Sequence, residues 1–110
     1  MRLPNGEKAI VDDRKLRDYL LSPSHPHGRH HARLFRALLG IDAENADLLK
    51  QALLDAAANA EAVAGKTSDY GRKYEVRFAM QGRTGPYNVL SVWIVPSNEN
   101  VPYLVTAYVE

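Results

Sequence analysis

The sequence predicts an α+β fold, with N-terminal helices packed on one face of a C-terminal antiparallel β-sheet arranged as a meander. Three observations predict it. Apolar residues recur at helical spacing through the first part of the chain, up to about residue 65. From Lys73 onward the period changes to two. The strand-like runs are joined by turns too short for parallel crossovers, so neighbours run antiparallel. A chain of 110 residues has room for one domain with one core, with a helical half over about 10–65 and a strand half over about 70–110.

Each element has a local reason. "DDRKLRDYLLSP" reads as a short helix, capped by Asp12 or Asp13, with Leu16, Tyr19 and Leu20 on one face and Pro23 past its end. Residues 24–28 read as a loop, because a residue before proline, here His25, is biased toward extended backbone. "RHHARLFRALLG" reads as a second helix with Ala32, Phe35, Leu38 and Leu39 as its buried stripe and Gly40 as its stop. "DAENADLLKQALLDAAANAEAVAG" reads as a third, capped by Asp42 and running to Gly65, with an apolar face from Leu49 to Val63. "KYEVRFAM" alternates, placing Tyr74, Val76, Phe78 and Met80 on one side. "YNVLSVWIV" has little polarity on either face and reads as a central strand, and "YLVTAYV" closes the sheet. On that last strand Val105, Ala107 and Val109 suit the helix-packed face. Thr106 and Tyr108 then point to the open one. Trp93 reads first as a packed side chain and second as a base-stacking platform.

Composition removes several classes of function. A formal net charge of +1 excludes binding to nucleic acid through bulk charge, so any such contact needs a local patch. Arg29, Arg33 and Arg36 form one. The chain has no cysteine, which removes disulfides, thiolate nucleophiles and cysteine–zinc sites. No apolar run is long enough to span a membrane, and "MRLPNGEKAI" has no signal-peptide core. A reducing cytoplasm is the expected setting.

All four histidines, His25, His27, His30 and His31, lie in "SHPHGRHHARLF". At the entry of the second helix they meet unpaired backbone N–H groups and a partial positive charge, an arrangement suited to a phosphate. Arg29 would add a bidentate contact, and the field of the helix end would lower the pKa of a nearby imidazole. Arg83, in "QGRTGP", is a second candidate for phosphate. The plain alternative is a solvated, polar helix entry. A third reading puts zinc on His27 and His31, one helical turn apart, although no HExxH pattern is present. No cofactor is expected.

"KLRDYLLSPSHPHGRHHARLFRALLG", "SVWIV" and "VPYLVTAY" together resemble an uncharacterised bacterial domain family, whose members read YLL-x-x-x-HP-x-G-x-x-KA-x-FF and end in a PRLVTAY-like strand. The resemblance covers nearly the whole chain. His25, Pro26, Gly28, Thr106 and Tyr108 match the family pattern. His31 stands where the family usually has lysine, and Tyr103 where it has arginine. The layout also resembles the barnase–colicin–RelE-type toxin ribonucleases, which cut RNA without metal. That resemblance implies catalysis by His25 and His31, one removing the 2′-hydroxyl proton and the other protonating the leaving oxygen. Thr106 and Tyr108 would position substrate across an open groove. Arg29, Arg83, His27 and His30 would hold phosphate. RNA and a small cognate antitoxin or immunity protein are the implied partners. The rival expectation is a non-enzymatic bacterial or phage-associated interaction module that uses the open sheet face.

Overall fold

The computed structural model describes residues 1–110. Its helices precede a four-stranded antiparallel sheet of order β1-β2-β3-β4, an α+β arrangement. The strands are β1 (Ala62–Ser68), β2 (Gly71–Gly82), β3 (Gly85–Pro96) and β4 (Tyr103–Val109). Consecutive strands are neighbours throughout, as expected of a meander.

α1 (Asp13–Lys15) starts on Asp12, whose carboxylate accepts the N–H groups of Arg14 and Lys15. It runs into a π-helical turn over Leu16–Leu20, closed by the Leu21 N–H donating to Leu16 O at 2.9 Å. α2 (Arg29–Leu39) ends where Gly40 takes φ 67°, a left-handed conformation that glycine adopts without steric cost. α3 (Ala46–Asn59) follows a 3-10 turn in which Asp42 and Asn45 cap each other reciprocally.

α3 stops at Asn59 rather than at Gly65, and residues 62–68 form β1. "AEAVAG" has helical composition. Pairing of Ala62, Val63 and Ala64 with Val76, Glu75 and Tyr74 satisfies the same backbone groups in the sheet instead, and tertiary pairing outweighs a weak local propensity. β1 is the element missing from the expected set.

The core lies between the helices and one sheet face. Phe35, Leu16, Leu20, Leu49 and Leu53 from the helices meet Val76, Val89, Trp93, Ala107 and Val109 from the sheet. Trp93 is completely buried, which rules out its use as a stacking platform. Its indole N–H donates to Ser91 Oγ at 2.9 Å, and that hydroxyl donates to Val76 O at 2.7 Å. On β4, Ala107 and Val109 face the core as expected. A register shift near Val105 hands the next core position to Leu104, so Val105 is only half-buried.

The two sheet edges are treated differently. Along β4 the N-terminal segment forms a bridge, with Ile10 N–H donating to Pro102 O and Leu104 N–H to Ile10 O, and Lys15 Nζ donates to Val105 O at 3.0 Å. Beyond its buried first residue, β1 is exposed and carries a register shift between Ala64 and Thr67, an irregularity that discourages edge-to-edge pairing.

Candidate functional site

The four histidines do not act as one cluster. His25 folds back on its own loop. Its Nδ1 accepts the N–H groups of His27 at 3.0 Å and Gly28 at 3.1 Å, and its backbone oxygen accepts from Arg29. The ring stands edge-on to Tyr19, centroids 4.8 Å apart. Gly28 presses against the π-helical turn so closely that a Cβ there would lie 1.9 Å from Tyr19 O. The "HPHG" segment is thus a structural clasp between the first helical segment and α2. An imidazole whose Nδ1 accepts two N–H groups carries its proton on Nε2. In that form it has no free lone pair, which removes His25 as the base of the expected acid–base pair. The loop also consumes the N–H groups of His27, Gly28 and Arg29, which shrinks the phosphate site expected at the helix entry.

His31 points elsewhere. Its ring stacks on Tyr108, with centroids 5.0 Å apart and planes 22° from parallel. The helix entry and the closing strand therefore meet, at the sheet edge formed by β4. Expectation put a groove between them; instead the rings touch, so substrate has to lie over their exposed edges and not between them. His30 is next to His31, centroids 6.0 Å apart. The His31 pKa is lowered below the ordinary imidazole value, first by burial and second by His30. The direction matches the expectation from the helix end, but the cause is different. His27 is exposed and lies 5.9 Å from the His25 ring, on the clasp side.

Cross-strand register defines the rest of the site. Leu90 pairs with Tyr108 on one side and Arg77 on the other, and Val92 pairs with Thr106 and Glu75. Tyr108, Thr106, Leu90, Val92, Arg77 and Glu75 therefore share the sheet face away from the helical core. Leu90 is only 3% exposed yet outside the main core cluster, sealed beneath these neighbours. Arg77 donates from Nε to Glu110 at 2.9 Å and lies 3.8 Å from Glu75; its pKa is raised mainly by the Glu110 hydrogen bond. Arg77 was not among the residues expected from sequence. Alternation in "KYEVRFAM" put it opposite Val76, but only the inter-strand register brings it to Tyr108.

The two expected phosphate arginines lie away from this pair. At about 100° per residue, Arg29 is on the opposite side of α2 from His31. Arg83 lies against Gly40, its Nε 3.9 Å from where a Cβ would be, and its N–H donates to Leu38 O. That is the far end of an eleven-residue helix, about 15 Å from the histidines. Tyr103, at the position of the family arginine, donates its hydroxyl to Glu99 at 2.5 Å. No group of three or more His, Asp or Glu side chains is placed to hold a metal ion. No helix is long and apolar enough to cross a membrane.

A small α+β domain with a histidine–tyrosine pair at the closing strand is the class that fold and site define. The chain belongs to a family described as a domain of unknown function, DUF6883, which it matches over residues 2–110. No curated protein and no solved structure matches it.

Proposed function

We propose that this domain is a metal-independent ribonuclease acting in a reducing cytoplasm, with His31 and Tyr108 as its reacting pair. The observation that carries this reading is their stack, which joins the helix entry to the last strand and holds an imidazole beside a phenol. A lowered pKa keeps His31 neutral and able to accept a proton at neutral pH. In the reaction His31 takes the 2′-hydroxyl proton as O2′ bonds to the adjacent phosphorus. The bond from phosphorus to O5′ breaks, and the Tyr108 hydroxyl delivers a proton to the leaving O5′. The products are a 2′,3′-cyclic phosphate and a 5′-hydroxyl end. Thr106, on the same sheet face, orients the ribose. Arg77 faces the charge that builds on the phosphate oxygens. The layout of helices followed by an antiparallel sheet is also that of toxin ribonucleases, by analogy of form.

The test is incubation of the purified domain with labelled RNA. Cleavage with cyclic-phosphate ends is expected, unchanged by EDTA and absent on an all-DNA strand. His31→Ala should lower the rate by about 10²–10⁴-fold, the usual worth of a general base. A folded His31→Ala variant that cuts at the full rate, or a wild-type domain that leaves RNA intact, overturns the reading.

A second reading is a non-enzymatic interaction module. One observation favours it: Arg77, the cation nearest Tyr108 on the sheet face, is already paired with Glu110 and Glu75. A cognate inhibitory protein would be the partner in either case, and it would cover the same sheet face.

A further inference from the structure

We propose that the groove between α2 and the turn after it holds one nucleotide unit of an RNA strand, with phosphate on Arg29, Arg33 and Arg36 and an amino-bearing base toward Glu44. This rests on the RNA reading above and extends it to the opposite side of α2.

The left-handed Gly40 reverses the chain and lays residues 42–44 alongside α2. Between them lies a groove of about 620 Å³, within the span of small-molecule sites. One wall carries Arg29, Arg33 and Arg36, spaced i, i+4, i+7 on a single helix face. The chain's ion pairs use the N-terminal amine, Arg17, Lys50 and Arg77, so these three guanidinium groups are in none of them. The other wall carries Asp42 and Glu44. Asp42 Oδ1 accepts the Glu44 N–H at 2.9 Å as part of the cap, whereas the Glu44 carboxylate is in no ion pair. Ala32 and Ala43 supply apolar surface between the walls.

Complementarity selects the occupant. An acidic peptide would satisfy the arginines but meet repulsion from Glu44. A nucleotide satisfies both walls. Its phosphate oxygens take guanidinium forks, and the exocyclic amine of cytosine donates to a carboxylate. The base ring lies on the apolar surface. Because Arg29 and His31 share the first turn of α2, a strand can pass over the helix entry from the groove to the Tyr108 face.

The probe is a fluorescein-labelled 2′-O-methyl oligocytidylate, which cannot be cleaved, titrated into the whole domain and read by fluorescence anisotropy. Binding is expected, weakened more than tenfold in the Arg33→Ala, Arg36→Ala double variant. The slope of log affinity against log salt should become shallower by about 1.4, or 0.7 for each lost phosphate contact on a single strand. Glu44→Gln should reduce the preference for oligocytidylate over oligouridylate. Both arginines are exposed, so thermal melting should be unchanged; Arg36→Glu repeats the test with opposite charge. Absence of binding overturns the inference, as does binding that neither arginine variant alters, or displacement of the probe by oligoglutamate at equal charge, which would assign the groove to a protein. Intact oligonucleotide binding through the groove without RNA cleavage would defeat only the ribonuclease reading. Cleavage with arginine-independent binding would defeat only the groove.

Discussion

At the scale of single residues, side chains that look chemically equivalent have been given different work. His25 and His31 are both imidazoles at one helix entry, yet one closes a loop and the other meets the sheet. His25→Ala should therefore cost stability, about 1–3 kcal/mol, because it strips the acceptor from the N–H groups of His27 and Gly28, and Gly28 is buried. Urea unfolding measures it. A variant as stable as the parent would show that the clasp contributes nothing. Ser91 is the matching case in the core. Ser91→Ala leaves the Trp93 indole N–H buried without its acceptor, at a cost of about 1–3 kcal/mol. The loss should exceed that of an exposed serine such as Ser24 replaced in the same way.

At the scale of elements, contact between the first helical segment and α2 depends on there being no side chain at position 28. Gly28→Ala should destabilise by about 2–4 kcal/mol, since its methyl group overlaps the backbone of Tyr19 and cannot be relieved by a rotamer change. An undiminished melting temperature would mean that the two elements separate freely. Most of the element plan was legible from local pattern. Alternation in "KYEVRFAM" and "YLVTAYV" showed the faces of β2 and β4 because period two is a property of the chain itself. Gly40 and the aspartate caps marked helix ends for the same reason. β1 was not legible, because Ala, Glu and Val in "AEAVAG" satisfy a helix locally and only the neighbouring β2 decides otherwise. The site divides along the same line. Thr106 and Tyr108 could be placed on a common face from the strand period. Arg77 beside Tyr108 depends on inter-strand register, and the backward fold of His25 depends on a loop conformation; neither leaves a trace in residue spacing.

At the scale of the whole molecule, the His31–Tyr108 stack ties stability to pH. The His31 pKa is lowered on folding, so below the ordinary imidazole value of about 6.5 the unfolded chain takes up the proton more readily than the folded one. This contribution is fully present above that value and is lost as pH falls through the window beneath it. Denaturant midpoints should thus drop between about pH 7.5 and pH 5.5, and His31→Phe should flatten that part of the curve. An identical profile in the variant would mean that other groups set the acid sensitivity. The bridge from Ile10 to Tyr103 has a consequence of another kind. A segment near the start of the chain seals the strand near its end, so a ribosome must deliver almost every residue before that edge can close. Until then β4 has no cover on its outer side, and the growing polypeptide needs a chaperone or speed to avoid pairing with its neighbours.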